Sequence, residues 1–576
     1  MTNPFSNLDS RVHQILHDWH VPGMAIGVVK DDKIVLNAGY GLRDVEQNLP
    51  VTPDTVFGIA SVSKAFTSFA MALLVERGQL HWDKPVQEYI PWFRLQDPDA
   101  SSSITPRDLV CHRSGLPRHD RAWYQSGASR EEIVRRLADL PPSKPFRSFY
   151  QYQNMMFVTA GFLVEQITGE SWENFIQREV FDRLNMTRSN FSINAMQEME
   201  NIALPYGRLK DQTTRIPFAN VDALGPAGSI NSTTTDMLNW LRLHLNQGTC
   251  NSQRLISSSG LAECHRQQMV IQEVFPASLI SYPELGPRSY GLGWFLRTYR
   301  GRRMVFHSGG IDGYGSFLSF LPEENIGVVI LSNLDEGNSP VPVTFEIYDR
   351  LLGFDPPDWS QRYLTHEGKA EAAAKAGSEK RESQIVPDTR PSHPADEYLG
   401  SFNHPGYGSL KVEAIQDTHS NPATYNAHFN LIPLTLTHVH YDTFKAETAS
   451  GTWTRLTFLS DEDGRINAVR LSTEVNVPPM VFERVTDTPA LTVLTACTGI
   501  YTLEGDQQVL ITLSPENELS LQLPGQSPLV LEMVEEGTFQ TIDYPRITVT
   551  FSAATGKQTP SVEILHPEGL FVAVRK

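Results

Sequence analysis

The sequence predicts a multidomain protein in which a mixed α+β region is followed by two all-β units. The chain has 576 residues, which is several times the usual size of one domain. Helix-like and strand-like patterns alternate as far as residue 353, whereas strand-like runs dominate from residue 396 onwards. A proline-rich, alanine-rich and charged segment at residues 355–395 separates the two regions, so we expect a linker there.

The first elements are predicted to be a helix, a β-hairpin and a buried helix. Residues 8–19 carry apolar side chains at helical spacing, and the runs MAIGVVK and KIVLNAGYG flank an Asp31-Asp32 turn. Residues 61–77 are small or apolar on nearly every face, which is typical of a helix that is buried all round.

Further helices are predicted in the middle of this region. Thr105 is a favourable N-cap before Pro106. Residues 152–168 and 171–184 read as two more helices, separated by Gly169. Residues 291–333 then turn to strand-like runs, and we expect these strands to complete a sheet begun by the N-terminal hairpin.

The C-terminal part is predicted to form two similar β units. Tyr398 and Gly400 open the first unit as Tyr501 and Gly499 open the second, which indicates a weak repeat. Each unit has about 90 residues of alternating strands, a size that suits a small antiparallel barrel. We place the units at residues 396–486 and 487–576, after a first domain at residues 1–354.

Composition and charge restrict the partners of the chain. Hydrophobic residues make up 40% and charged residues 20% of the sequence, as in ordinary globular proteins. The 48 basic and 66 acidic residues give a net charge of −18, which opposes binding to nucleic-acid phosphates and to anionic membranes. We expect neither as a partner.

The cysteines and the N-terminus favour a cytoplasmic protein. The four cysteines are too few and too scattered for a disulfide framework, and none forms the short-spaced pair of a zinc site. Residues 1–16 show no secretory leader pattern, and no apolar run approaches the roughly 20 residues of a membrane span.

Ser61 and Lys64 form the first chemically interesting pair. Residues at i and i+3 share a helical face, so Lys64 can reach the Ser61 hydroxyl. A serine becomes a nucleophile when a base takes its proton, and burial disfavours the charged form of a lysine, so Lys64 can act as that base. Ser63 is a rival nucleophile, but adjacent helical residues point about 100° apart. Alone, the pair also fits an ordinary helix start with Ser61 as N-cap.

Two other short motifs add polar groups and bare backbone. In the triplet Tyr152-Gln153-Asn154, a phenol near a lysine cation ionises more easily and can relay protons. The Asn154 amide can donate to a substrate carbonyl and accept from Lys64. His307, Ser308 and the glycines after them follow an apolar strand, where bare backbone lets a substrate approach closely. The Gly310 amide can pair with that of Ser61 as an oxyanion hole.

The order SxxK, YxN and HxG resembles the penicillin-binding protein and β-lactamase superfamily, particularly its class C-like branch. The resemblance covers about residues 6–353 and extends to the stretches ITPRDLVCHRSGLP and GPAGSINSTTTDMLNW. It implies an antiparallel sheet packed with a helical domain, and a serine hydrolase. It also implies an acylated Ser61, proton transfer by Lys64 and Tyr152, and substrate or oxyanion contacts by Asn154, His307, Ser308 and Gly310.

His307 departs from the pattern of β-lactamases, which have lysine in a KTG triplet at this place. That lysine pairs with a substrate carboxylate, whereas histidine with its ordinary pKa of about 6.5 is largely neutral near pH 7. The departure favours amide or ester cleavage over antibiotic hydrolysis. HxG triplets accompany D-stereospecific peptidases and esterases of the superfamily, and the C-terminal units look like the lipocalin-like barrels of some of its peptidases.

The sequence leaves several functions open. The first is hydrolysis of a peptide or a small amide or ester, with or without a D-residue at the scissile bond. The second is a transacylase that passes the acyl group to an alcohol or amine. The third is a binding protein without turnover. We expect no cofactor and no metal, since His13, His17 and His20 suit the polar flank of an amphipathic helix better than a zinc site. The β units offer surfaces for a homo-oligomer.

Overall fold

The chain forms two compact units in a computed structural model: residues 1–399 with 403–482, and residues 400–402 with 483–576. The structure describes residues 4–209, 212–272, 282–334, 339–415, 424–448, 453–472, 474, 477–485, 494–495, 497–503, 505, 507–514, 518–535, 537–542, 546–552, 561–567 and 569–575.

The helices whose bounds the structure describes lie in the first unit. They are α1 (Leu8–Asp18), α2 (Ser63–Glu76), α3 (Pro98–Ser103), α4 (Pro106–Leu109), α5 (Arg130–Arg136), α6 (Asn154–Thr168), α7 (Trp172–Ile176), α8 (Asp182–Leu184), α9 (Ile193–Gln197), α10 (Gly225–Gly228), α11 (Thr234–Leu245), α12 (Ser258–Cys264), α13 (Pro340–Leu352) and α14 (Trp359–Glu382). The last of these falls within the segment expected to be a linker. Among the described residues, no helix has the length and apolar character that crossing a membrane requires.

The strands before the barrels are β1 (Gly23–Lys30), β2 (Lys33–Asp44), β3 (Leu49–Pro50), β4 (Phe57–Gly58), β5 (Tyr206–Leu209), β6 (Gln212–Arg215), β7 (Asn231–Ser232), β8 (Thr249–Cys250), β9 (Gln253–Arg254), β10 (Met269–Val270), β11 (Ser289–Tyr290), β12 (Phe295–Tyr299), β13 (Arg302–Ile311), β14 (Tyr314–Leu321) and β15 (Ile326–Ser332). Nine of them form one sheet in the order β10-β11-β12-β13-β14-β15-β1-β2-β3.

The N-terminal hairpin joins the later strands as the sequence predicts. Strand β1 pairs with β15 in antiparallel register from Met24–Ser332 to Lys30–Ile326. Helices cover both faces of the sheet centre. A Cβ at Gly327 would contact Leu241 of α11, whereas Ser319, paired with Val328 on the opposite face, bonds Tyr348 of α13. Strands covered on both faces are buried along their whole length, as β14 and β15 are.

Helix α2 runs through the interior beside the sheet. Its residues are buried from Ser63 to Leu74, which confirms the helix expected to be buried on all sides. Phe66 stacks on Trp240 of α11 with ring centroids 4.0 Å apart, and Phe69 meets the same indole edge-on at 5.2 Å. A 3-10 turn, Ala60–Val62, precedes the helix, so Ser61 lies at the junction of turn and helix.

Two predicted helices differ from the structure in their details. Helix α6 begins at Asn154 rather than at residue 152, because Gln153 has extended backbone and its side chain caps the Met155 amide. It ends at Gly169 in the left-handed conformation, with φ of +73°. The helix predicted at 171–184 is α7 and α8 joined by a π-helical stretch, Gln177–Phe181. Thr105 forms the predicted N-cap, completed by Asp108 as a capping box.

Two closed eight-stranded barrels follow, which confirms the predicted all-β units. The first barrel comprises β16 (Gly400–His404), β17 (Gly408–Ala414), β18 (Thr424–Phe429), β19 (Ile432–His440), β20 (Thr443–Glu447), β21 (Trp453–Ser460), β22 (Ile466–Leu471) and β23 (Met480–Arg484). The second comprises β24 (Gly499–Thr502), β25 (Gln508–Leu513), β26 (Leu519–Gln522), β27 (Leu529–Glu535), β28 (Thr538–Thr541), β29 (Thr548–Ser552), β30 (Ser561–His566) and β31 (Gly569–Arg575). Apolar side chains such as Leu521, Val549 and Ile564 form a core of the second barrel.

Strand β13 passes very close to the turn that carries Ser61. A Cβ at Gly309 would lie 2.2 Å from the Ile59 carbonyl oxygen and 3.1 Å from the Ala60 Cβ. A Cβ at the neighbouring Gly310 would meet no atom within 4 Å. Only the absence of a side chain at position 309 therefore allows this approach.

We expect Gly309→Ala to lower the free energy of unfolding by about 1–3 kcal/mol, because the strand must shift away from the turn. Gly310→Ala is the matched control and should cost less than about 1 kcal/mol, since its methyl group has room. Urea unfolding followed by tryptophan fluorescence measures both. Equal urea midpoints for the two variants would show that β13 and the Ser61 turn are not tightly packed at Gly309.

Candidate active site

Ser61 and Lys64 are brought together as the sequence predicts. The Lys64 Nζ lies 3.1 Å from the Ser61 Oγ and donates a hydrogen bond to the Ala227 carbonyl oxygen at 2.8 Å. Lys64 is fully buried. No acidic side chain bonds this amine among its described contacts, so its charge has no carboxylate partner at close range.

The environment of Lys64 favours the neutral amine. Burial lowers the pKa of Lys64 well below its usual value, and the positive charge of Arg118 acts in the same direction, while Asp120 opposes it. A neutral amine has a lone pair that can accept a proton from the adjacent hydroxyl. The pair therefore has the composition and spacing of a nucleophile with its base.

The backbone around Ser61 is held by the sheet and by β7. The Ile59 amide donates to the Ile230 carbonyl, and the Ser316 hydroxyl of β14 donates to the Ile59 carbonyl at 2.8 Å. Ala60 has a φ of +48°, in the left-handed region, so the residue before Ser61 is strained. The Ser63 hydroxyl accepts from the Ile230 amide, which engages the rival nucleophile in a structural contact.

Tyr152 faces the same amine, but its expected ease of ionisation is wrong. The Lys64 Nζ lies 4.8 Å from the centre of the phenol ring. Burial raises the pKa of Tyr152, and hydrogen bonding by Ser61 and the charge of Arg118 only partly offset that effect. The reason is that burial of the phenol disfavours its charged form more than the nearby groups favour it. The phenol stays protonated near pH 7 and is a proton donor in the resting site.

Asn154 contacts the site differently from the prediction. Its Nδ2 donates to Asp120 Oδ1 at 2.9 Å, and Lys64 donates to Ser61 and Ala227 instead of to the Asn154 oxygen. The Asn154 Oδ1 is buried and has no hydrogen-bond partner among the described residues. That oxygen is an acceptor available to an N–H of a bound substrate.

His307 is buried in β13 and neutral. Its Nε2 accepts from the Tyr290 hydroxyl at 2.9 Å, and its Nδ1 donates to the Ser308 carbonyl at 2.7 Å. Burial lowers the pKa of His307 to about 3, and the Lys64 charge contributes. The imidazole therefore cannot act as a cation for a substrate carboxylate near pH 7, in agreement with the sequence argument.

Ser308 and Gly310 lie on the exposed side of the same strand. The register between β12 and β13 ends at the pair Phe295–Phe306, so β13 continues beyond its neighbour at these positions. On its other side Gly310 pairs with Gly315 of β14. The strand thus brings bare backbone to the Ser61 turn, where a substrate can approach it.

Several residues of the site were not singled out from the sequence. They are His112, Arg118 and Asp120, from the segment between α4 and α5, and Tyr290, from β11. His112 accepts from the Gln153 amide at 3.0 Å through Nδ1, and its ring lies 4.2 Å from that of Tyr152. It thereby positions the Tyr152–Asn154 segment. Its stretch, CHRSGLP, carried the family resemblance but gave no role for a single residue.

The site offers no evident metal centre. Across the part of the chain that the structure describes, no group of three or more His, Cys, Asp or Glu residues is arranged to hold a metal ion.

Known proteins resemble both parts of the chain. The beta-lactamase family profile matches residues 8–350, and a profile described as a domain of unknown function, DUF3471, matches residues 385–484. Unguisins hydrolase ungD of Aspergillus violaceofuscus is 29% identical over 472 residues, 77% of this chain and 83% of that protein. Protein flp of Staphylococcus aureus is 26% identical over 338 residues, 58% of this chain and 64% of that protein.

A solved structure supports the predicted fold. The octameric penicillin-binding protein homologue from Pyrococcus abyssi matches with a TM-score of 0.53 and 22% identity, over 83% of this chain and 99% of that chain. This likeness concerns the fold alone. Since the family profile spans more than half of the sequence, the chain belongs to the beta-lactamase family of serine hydrolases.

Proposed function

We propose that the protein forms an acyl-enzyme on Ser61 and releases it to water, cleaving amide or ester bonds of peptides or small acyl compounds. The observation that carries the proposal is the 3.1 Å contact between Ser61 Oγ and a fully buried Lys64 amine. Burial supplies the neutral base that a serine nucleophile needs. The names of the two fungal relatives, ungD and ungD', describe hydrolases, which supports water rather than another acceptor.

In the acylation step, the Ser61 hydroxyl transfers its proton to the Lys64 amine as the oxygen bonds to the substrate carbonyl carbon. The amides of Ser61 and Gly310 stabilise the negative charge that develops on the carbonyl oxygen. Tyr152 gives its phenolic proton to the leaving nitrogen or oxygen and regains a proton from Lys64. The bond to the leaving group then breaks, and the acyl group stays on Ser61.

Deacylation uses the same groups in the reverse direction. A water molecule gives one proton to the neutral Lys64 amine and bonds to the acyl carbon, and a proton returns to Ser61 Oγ as the ester breaks. The product leaves as a carboxylic acid. The Asn154 Oδ1, which lacks a partner among the described residues, accepts an N–H of the substrate and orients it for both steps.

The first test is covalent labelling with a fluorophosphonate, measured by intact mass. We expect Ser61→Ala to abolish the adduct and Ser63→Ala, the matched control, to retain it. Lys64→Ala should lower kcat/KM for a p-nitrophenyl ester by about 10²–10⁴, the usual contribution of a general base. An adduct that survives Ser61→Ala would refute the assignment of the nucleophile.

The second test is the pH dependence of kcat/KM, whose acid limb reports protonation of the base. Activity should fall as the pH drops through the lowered pKa of Lys64. Arg118→Gln removes a positive charge that lowers this pKa, so we expect the limb to move to higher pH. Arg121→Gln makes the same charge change three residues away and should leave the limb in place.

The pKa values of the neighbouring groups decide which of them, besides Lys64, could produce this acid limb. Burial holds the pKa of His307 at about 3 and that of His112 well below its usual value, so neither titrates near neutrality. Burial raises the pKa of Glu474 to about 7, so this carboxyl can titrate near neutrality. Repeating the pH profile with Glu474→Gln shows whether it contributes to the acid limb. A limb that moves with Glu474→Gln and not with Arg118→Gln would contradict the role given to Lys64.

A further inference from the structure

One loop joins the two walls of the Ser61 cleft. We call residues 118–127 the strap. On one wall, Asp120 accepts from Asn154, and the Arg118 guanidinium lies 5.1 Å from the centre of the Tyr152 ring. On the other wall, the Tyr124 hydroxyl donates to Asp312, which follows the end of β13.

Ser61 lies between these two walls. Lys64 and Tyr152 stand on one side of it, and β13 passes its turn at Gly309 on the other. Asp312 comes only two residues after Gly310 in the chain. A loop bonded to both walls therefore spans the cleft at that end.

The first barrel holds the strap from outside. The Tyr407 hydroxyl lies 2.7 Å from His119 Nδ1, Glu474 Oε1 accepts from the Arg121 amide at 2.9 Å, and the Leu431 amide donates to the Gln125 carbonyl at 3.0 Å. The barrel thus bonds the strap at three points along its length.

The strained residues of the strap coincide with its barrel contacts. His119 and Gln125 have φ of +49° and +48°, in the left-handed region that costs a non-glycine residue about 1 kcal/mol or more. Each of them bonds the barrel, through its ring or its carbonyl. Strain persists only where surrounding structure holds it, so the barrel fixes the shape of the strap.

The cavity beside the strap anchor is small. Next to Asp312 the structure leaves a cavity of about 20 Å³, which is the room of roughly one water molecule. Small or apolar side chains form most of its lining, among them Gly58, Ile193, Ala219, Val221 and Ile311.

We propose that the strap, fixed by the first barrel, selects substrates by size: the group entering this end of the cleft must be compact, as in a small acyl compound or the end of a peptide. The proposal rests on the hydrolase function proposed above and narrows its substrate class. Selection is steric, because the two strap charges that act on Lys64, Arg118 and Asp120, pair with each other at 2.5 Å.

The test measures selectivity in the full-length protein with two series of p-nitrophenol-type esters and amides. One series lengthens the acyl group at constant leaving group, and the other enlarges the leaving group at constant acyl group. In one of the two series, we expect the wild-type kcat/KM for the bulkiest substrate to be at least about tenfold lower than that for the smallest. Tyr124→Phe loses the bond to Asp312, and Tyr407→Phe loses the bond to His119. Each variant should raise the bulky-to-small ratio, which is kcat/KM for a bulky substrate divided by kcat/KM for a small one, by about fivefold or more.

A matched control separates the strap from general effects on the barrel. Tyr398→Phe also removes a phenol hydroxyl from the first barrel, one that donates to Asp442 at 2.5 Å, but it does not touch the strap. Its bulky-to-small ratio should equal that of the wild type. Thermal unfolding of all three variants verifies that each is folded.

Two failures are distinguishable. Ester cleavage that survives Ser61→Ala, or no cleavage at all by the wild-type enzyme, contradicts the proposed function. Cleavage that depends on Ser61, with no discrimination against bulk or with the same ratio in wild type, Tyr124→Phe and Tyr407→Phe, overturns the role of the strap alone.

Discussion

The burial of one amine is the constraint on which the site depends. Lys64 is fully enclosed by an apolar helix and its neighbours, and charge in such surroundings is costly. Loss of the proton removes that cost and at the same time creates the base beside Ser61. The same burial keeps the Tyr152 phenol protonated and His307 neutral. One physical effect, burial, therefore shifts the pKa of each of these three groups towards its neutral form.

The sequence predicts those parts of the site that are local in the chain. Ser61 and Lys64 meet because an i, i+3 spacing fixes their geometry, and the buried helix follows from its composition. The hydrogen bond between Asn154 and Asp120 is not local, since the two residues are 34 positions apart and meet only through tertiary folding. The pKa of Tyr152 was misjudged for the same reason: it depends on the burial of the phenol, which only tertiary packing sets.

The fold likewise has features that the sequence predicts and features that it does not. The closing of the sheet by the N-terminal hairpin and the presence of two β units follow from strand patterns and from the family resemblance. The contact of the first barrel with the strap does not, because Tyr407 and Glu474 carry no motif and join residues about 288 and 353 positions away. In the role proposed for the strap, this contact lets the first barrel act on the shape of the cleft.

The protonation of Lys64 in the resting enzyme is the most direct measure of this account. NMR of protein labelled at the lysine side chains, with the Lys64 signal assigned by comparison with Lys64→Arg, follows that amine through a pH titration. The account predicts the chemical shift of a neutral amine at pH 7, with protonation only as the pH is lowered. A Lys64 signal that remains that of an ammonium group at pH 7 and above would contradict it.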